Sequence, residues 1–345
     1  MKEMLVSFII PAYNAADTIE RCLNSIYALS LKREEFEVIV IDDASTDTTR
    51  DTVSFYQSKY PNITLLRQPE NHRQGAARNR GVKIAKGEYI CFVDADDAVT
   101  EGIIDAIRLA KEKDADMVAF HYGNANEKGE MTSEAKRLSF KNGQIFTGIE
   151  MQNKHPYWCS GPVAYIYNKD FLEKVNYPFV EGVLYEDSDF VANHLYRAKR
   201  MTYSSELGYK AYYREGSTTH SSTYKNVADY LLLGTRMMAL YERIISEGVS
   251  ELMSEGVSKF AEGILEGACF NLERSCRRLL KLNRAADVRA YYERVDANVN
   301  RWEIVVNKRY RSYYWNQWTR LCMQNKRLTI IASTIMRPIY KLLKK

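Results

Sequence analysis

The sequence predicts an α/β protein: a mostly parallel sheet flanked by helices, followed by a helical C-terminal region. Three observations predict it. Short apolar runs alternate with helix-period segments over the first third of the chain. Each strand candidate there reaches the next through a helix, which is the connection a parallel sheet requires. Beyond about residue 225 strand signals fade while helical spacing continues, as in residues 230–245 and 260–282.

The elements follow in order. Leu5 to Pro11 is an apolar run, and Asp17-Thr18-Ile19-Glu20 is a capping-box signal ahead of Ile19, Leu23, Ile26 and Leu29 at helical spacing. Glu37 to Ile41 is the second strand, and Ser45 is placed to cap a helix running to about Lys59. Ile63 to Leu66 and Ile90 to Val93 are strands on either side of a helix from Gly75 to Ala85. A helix from Thr100 to Lys113 then leads to a strand from Asp116 to His121. Residues 123–144 read as a polar loop, a helix opens at Glu186-Asp187, and Tyr203 to Tyr213 is rich in tyrosine. The 345 residues exceed the usual size of one domain, so two are expected, residues 1–225 and 226–345.

Composition narrows the class. With 46 % hydrophobic and 27 % charged residues the chain reads as a soluble globular protein. Six scattered cysteines without a C-x-x-C pair read as reduced, mostly buried thiols. Pro11 interrupts the only N-terminal apolar run before it could form a signal-peptide core, so secretion is not expected. No stretch approaches the roughly 20 apolar residues that span a bilayer. The net charge of +5 hides an asymmetry, because Ile304 to Lys345 holds ten Lys or Arg and no Asp or Glu.

In such a sheet, ligands bind beyond the carboxyl ends of the strands. Three strands end there in polar or acidic groups: Tyr13-Asn14, Asp42-Asp43, and Asp94, Asp96 and Asp97. Carboxylates lined along one sheet edge repel one another, which a bound cation or a donor-rich ligand resolves. The run Asp94-Ala95-Asp96-Asp97 suits Mg²⁺ or Mn²⁺, which take one or two carboxylates and fill their remaining positions with phosphate and water. Taken alone, an acidic turn is more often a solvated loop or a helix cap. Glu186-Asp187 has an equally plain reading, since acidic residues at a helix N-terminus stabilise the macrodipole.

The company of these motifs changes the balance. Ser7 to Asn14 (S-F-I-I-P-A-Y-N), Val38 to Thr46 (V-I-V-I-D-D-A-S-T), Gly75 to Gly81 (G-A-A-R-N-R-G) and Gly87 to Asp97 occur in order at suitable spacing. Together they resemble glycosyltransferase family 2, over about the first 220 residues. The resemblance implies a GT-A fold and an inverting, metal-dependent transferase of hexosyl or N-acetylhexosaminyl groups, with Mn²⁺ or Mg²⁺ as cofactor and a UDP-sugar as the expected donor. It implies that Ala12, Tyr13 and Asp43 hold the nucleotide base, Asp43 by accepting from uracil N3–H and Tyr13 by packing on the ring. Arg78 is then expected at the base or the diphosphate, Asp94 near the ribose with Ala95 beside it, and Asp96 on the metal. Asp97 is left as either a supporting residue or a helix cap.

The same resemblance makes Asp187 the base that takes the acceptor proton and Glu186 its orienting or acceptor-binding partner. Tyr212 to His220 resembles a flexible segment in which Arg214 or His220 clamps the diphosphate as it closes. One departure is Tyr165 to Leu172, which puts tyrosine where the family frequently has lysine, so acceptor contacts are not carried over there.

The tail combines Trp302, Tyr310, Trp315 and Trp318 with its basic residues, and Leu328, Ile331, Ile335, Ile339 and Leu342 fall at helical spacing. That pattern suits an interfacial helix on an anionic membrane, or equally a basic helix packed on the catalytic domain. Resemblance and tail together imply a cytoplasmic bacterial enzyme, peripheral on the inner face of the cell membrane, acting on a glycan acceptor that is lipid-linked. Homo-oligomer formation stays open, and no nucleic-acid motif accompanies the charge. Three other readings compete with this one. A sugar nucleotidyltransferase lacks its glycine-rich loop here, and a dehydrogenase lacks G-x-G-x-x-G after the first strand. A catalytically silent nucleotide-sugar-binding scaffold remains as the competitor from another class.

Overall fold

A computed structural model describes residues 4–156, 161–213, 224–249 and 254–279. The opening series is β1 (Val6–Ala12), α1 (Ile19–Tyr27), β2 (Phe36–Asp42), α2 (Thr49–Lys59), β3 (Ile63–Arg67), α3 (Arg73–Ile84) and β4 (Tyr89–Phe92). Strands β1 and β2 are buried at every residue, which is why they read as unbroken apolar runs and not as alternating ones. Next come β5 (Ala98–Val99), α4 (Ile103–Glu112), β6 (Met117–Ala125), β7 (Met131–Glu134) and α5 (Gly148–Lys154). Strand β8 (Tyr165–Asn168), α6 (Lys169–Val175), α7 (Asp187–Arg197) and β9 (Met201–Tyr212) complete the sheet-bearing part.

Among the described residues the sheet has the order β3-β2-β1-β4-β8-β6-β9-β5, with β7 pairing to β6. Its first four strands are parallel, in the register Val6↔Phe36 and Ile9↔Phe92. Past β4 the sheet becomes mixed. Strand β8 runs antiparallel to both β4 and β6, so β6 is not the next parallel neighbour that the β-α-β series suggested. The segment expected to be loop between residues 123 and 144 contains the end of β6 and the short strand β7.

Two helix starts differ from expectation. Thr18 precedes α1 without a side-chain cap, and its hydroxyl donates instead to the Ala15 carbonyl. Ser45 does not cap α2; its hydroxyl accepts from the Asn14 amide and ties the two strand-end loops together. A complete capping box forms at α5, between Thr147 and Glu150.

One face of the sheet carries the apolar cluster of Phe8, Ile10, Leu23, Ile26, Val40, Ile107 and Phe120, closed over by α1, α2 and α4. The other face holds an aromatic group that seats α7. Phe190 of α7 stacks on Phe179 with ring centroids 3.7 Å apart, and Phe92 of β4 meets both edge-on. Such pairs contribute about 0.5–1.5 kcal/mol each beyond their area, enough to fix the helix that begins at Asp187.

The described residues divide into two compact units, Met1–Gly182 with Glu186–Glu215, and Val183–Tyr185 with the chain from Gly216 onward. Within the second unit, α8 (Tyr224–Val249) and α9 (Glu255–Leu279) pack together. Ser275 donates to the Val227 carbonyl at 2.7 Å, Tyr185 stacks on Tyr230 at 4.0 Å, and Asp229 accepts from the Leu184 amide. No helix among the described residues is long and apolar enough to cross a membrane. The basic tail lies outside the described residues.

Candidate active site

The acidic run leaves the buried strand β4 and is bound on its far side by β9. The Tyr209 hydroxyl donates to Asp97 Oδ2 at 2.7 Å and accepts from the Asp94 amide at 3.1 Å. The Tyr212 amide donates to Asp97 Oδ1 at 2.7 Å. Both Asp97 oxygens are thus used inside the protein, and burial, reinforced by the charges of Asp94 and Asp96, raises its carboxyl well above the usual range. Asp97 holds the shape of the turn. Arg21 lies across the Tyr212 ring and donates to the Asp96 carbonyl at 2.5 Å. The Asp96 side chain is half-buried and engages no hydrogen bond or ion pair among the described residues. Of the three acids, it alone keeps both oxygens free of protein partners.

At the neighbouring strand ends, the Asp43 amide donates to the Ala12 carbonyl at 2.8 Å, joining β1 to β2 just where both stop. Asn14 and Ala44 take positive φ, 48° and 62°, in the turns that follow the two strands. Tyr13 is left 49 % exposed, one residue past the last register pair, Ala12↔Asp42. Asp43 itself is buried. Its Oδ1 accepts from Gln68 Nε2 at 2.7 Å and from the His72 amide at 2.8 Å, while Oδ2 has no protein donor among the described residues.

Helix α3 supplies the centre. Arg78 is fully buried, and its Nη1 donates to Glu186 Oε1 at 2.8 Å and to Asp187 Oδ1 at 3.1 Å. Its Nη2 donates to Asp94 Oδ1 at 2.8 Å and to Gln74 Oε1 at 3.0 Å. Burial works against the charge on this guanidinium, but Asp187, Asp94 and Glu186 hold it more firmly protonated than a free arginine. Burial also raises the Asp94 and Glu186 carboxyls, with Arg78 pulling each of them back down. Asp187 is 35 % exposed and Glu186 only 3 %, so Asp187 is the member of the pair that is open to solvent.

The rest of the G-A-A-R-N-R-G segment explains how Arg78 comes to this position. A Cβ on Gly75 would meet the Val180 carbonyl oxygen at 2.5 Å, so only glycine lets α3 come this close to the segment before α7. Asn79 pairs with both backbone groups of Phe179, accepting from its amide and donating to its carbonyl, each at 2.9 Å. At Gly81 a Cβ would collide with Ile9 of β1. The segment is therefore a brace between β1 and the residues leading to Asp187.

Residues 7–175 match the family described as Glycosyl transferase family 2. The chain belongs to that family. The poly(ribitol-phosphate) beta-glucosyltransferase of Bacillus spizizenii is 30 % identical over 209 residues, which are 60 % of this chain and 32 % of that protein. The chain thus spans about a third of that relative's length. Staphylococcus aureus TarS 1–349, crystallised with UDP-GlcNAc, aligns at a TM-score of 0.61 and 22 % identity, over 94 % of this chain and 92 % of that one. The mannosyltransferase PcManGT from Pyrobaculum calidifontis, in complex with GDP-Man and Mn²⁺, aligns at 0.53 and 18 %, over 98 % and 88 %. At these identities the two structures establish the GT-A fold.

The residues read from sequence fall into two groups. Arg78, Asp94, Glu186 and Asp187 meet around one guanidinium, while Ala12, Tyr13 and Asp43 sit at the adjoining strand ends. Ala95 is buried between the acids. Arg214 and His220 lie outside the described residues. Sequence reasoning missed Arg21, Gln68, Asn79, Tyr209 and Tyr212. The signals at the last two were the tyrosine-rich character of Tyr203 to Tyr213 and, for Tyr212, its place at the start of the segment Tyr212 to His220.

Proposed function

We propose that the chain transfers a hexosyl or N-acetylhexosaminyl group from a UDP-sugar to a hydroxyl of a glycan acceptor, by direct displacement with inversion at the anomeric carbon. The observation that carries this reading is the sharing of one buried guanidinium by Asp94 and Asp187. An acid at the end of β4 and an acid at the start of α7 are held within the reach of a single fork. That is the juxtaposition a displacement needs, with one group on the donor and another opposite the leaving diphosphate.

In this reading Asp43 accepts from uracil N3–H through its unused Oδ2, Tyr13 covers the ring, and Ala12 closes the strand edge. Asp94 and Ala95 face the ribose. Asp96 is the residue that would hold Mn²⁺ or Mg²⁺, and its partner-free carboxylate fits that role. No group of three His, Cys, Asp or Glu side chains among the described residues forms a protein cage, so most of the ion's ligands would come from the diphosphate and water. When bound, the ion supplies positive charge to the departing diphosphate. Asp187 accepts the proton of the acceptor hydroxyl as the new C1–O bond forms and the C1–O bond to the diphosphate breaks. Glu186 serves as counter-ion to Arg78 and keeps the fork in place.

The Bacillus relative's polymer substrate supports an acceptor among bacterial surface polysaccharides, and the basic tail supports a lipid-linked form of it at an anionic membrane. The test is UDP release from a panel of UDP-sugars with Mn²⁺ and a lipid-diphosphate or polyol-phosphate acceptor, with product configuration read by NMR. Asp96→Ala and Asp187→Asn should each abolish turnover. Turnover surviving both would sink the assignment, and UDP binding without turnover on any acceptor would favour the scaffold reading. Sedimentation with anionic vesicles tests the tail, and equal binding by full-length chain and a truncation at Leu321 would remove it from the account.

A further inference from the structure

Arg78 was expected on the donor, at its base or its diphosphate, and its surroundings argue for another task. Both Nη groups already serve two protein acceptors each, at 2.8–3.1 Å, from α3 itself, the end of β4 and the start of α7. The remaining donor, Nε, is a buried atom without a partner. No hydrogen of the fork is left at the surface for a donor to use. The position is also braced. Gly75, Asn79 and the bond from the Gly182 amide to the His72 carbonyl fix α3 against the segment that runs into Glu186 and Asp187. A residue that only needed to touch a phosphate would not require this much of its own helix.

The three carboxylates come from Asp94 and, far along the chain, from the adjacent pair Glu186 and Asp187, and among the described residues the guanidinium is the one cation that touches all of them. A planar fork with fixed N–H directions transmits position where an ammonium would supply only charge. We propose that Arg78 is the positioning residue of the transfer: it acts through Asp94 and Asp187, not on the donor, so that seating the donor-side acid and aiming the base are one event. This rests on the function proposed above for the same site. Losing the fork leaves the donor's other contacts at Asp43, Tyr13 and Asp96 in place, and it releases the acid that must meet the acceptor hydroxyl.

Arg78→Lys keeps the charge and removes the fork. Calorimetric binding of UDP with Mn²⁺ should stay within about threefold of wild type, while kcat on the active donor falls about a hundredfold, the penalty of a misplaced reacting group. Weaker UDP binding by about tenfold with kcat retained would make Arg78 a donor ligand and overturn the proposal. Wild-type kcat in the folded fraction, with only a lower melting temperature, would reduce it to a structural residue and equally overturn it. If Arg78→Lys does not fold, Gln74→Ala decides, since it frees one fork hydrogen and leaves every charge paired. A fall in kcat with unchanged UDP affinity supports the proposal, and an unchanged kcat refutes it. A urea-denaturation cycle of Asp94→Asn and Asp187→Asn needs no substrate: non-additive midpoints are expected, and additive ones overturn the bridge. A coupled cycle in a chain that turns over no donor would reject the transfer reading while leaving the bridge intact.

Discussion

The Tyr209 hydroxyl sits between two residues of one turn, donating to Asp97 Oδ2 at 2.7 Å while it accepts from the Asp94 amide at 3.1 Å. One phenol thus sets the distance between Asp94 and the acid that anchors the turn. Tyr209→Phe keeps the ring and leaves both groups without their partner. Each unsatisfied buried group costs about 1–3 kcal/mol. The expected outcome is a melting temperature several degrees lower and weaker binding of UDP with Mn²⁺. Unchanged UDP affinity would show that β9 does not shape the acidic turn.

Gly75→Ala tests the brace. The new methyl group meets a backbone carbonyl, which cannot swing aside as a side chain would. Overpacking of this kind costs about 1–3 kcal/mol, and here the strain falls on the segment that leads to Asp187. Turnover should fall more than UDP affinity does. Steady-state kinetics beside calorimetric UDP binding would check this.

Asp43 offers a test of base recognition. Its Oδ1 is committed to Gln68 and His72, so in Asp43→Asn the amide oxygen can keep those bonds and the NH₂ replaces the unused Oδ2. That places a donor against uracil N3–H and should cost about 1–3 kcal/mol of UDP affinity with little loss of stability. Cytosine N3 is an acceptor, so CDP should gain relative to UDP. Parallel titrations with UDP and CDP read the exchange, and an unaltered preference would place the base elsewhere.

His194 makes stability depend on pH. The imidazole is buried in α7 with Nδ1 2.8 Å from the Phe190 carbonyl oxygen, and burial lowers its titration to about 4. An unfolded histidine titrates near about 6.5, so between these values the unfolded chain binds a proton that the folded chain refuses. The contribution is present in full above about 6.5 and is lost as pH falls towards 4, up to about 3 kcal/mol. Urea midpoints of wild type and His194→Gln at pH 7.5 and pH 4.5 isolate it. The variant should lose this part of the slope, and equal slopes would assign the acid sensitivity to other groups.

What could be read from the sequence followed from local pattern. Strands β1 and β2 announce themselves because they are buried on both faces, and the acids were found because strand ends in a parallel sheet collect ligands. Asp96, Asp187 and Arg78 were singled out by motif, and the geometry then separated the partly exposed Asp187 from the buried Glu186. Strands β5, β7 and β8 have two to four residues each, too few for a period to emerge. The tie from Tyr209 to Asp97 joins residues 112 positions apart, and nothing local to either marks it. Gln68 and Asn79 were missed because a side-chain amide that pairs with a distant carboxylate, or with a distant backbone, leaves no periodic trace. Ser45 was misread because its hydroxyl serves the neighbouring loop and not its own helix.

The strand order has a consequence for synthesis. Strands β3, β2, β1 and β4 are neighbours joined by short helical crossovers, so all their pairings close within residues 6 to 92. Contacts of low sequence separation form early, and chains fold from the N-terminus as they leave the ribosome. Arg78 and Asp94 can therefore meet, and Asp43 can reach Gln68 and His72, before Asp187 has been translated. Until α7 emerges, Arg78 has Asp94 and Gln74 but neither of its other partners, and the late arrival of Glu186 and Asp187 completes the cluster around its guanidinium.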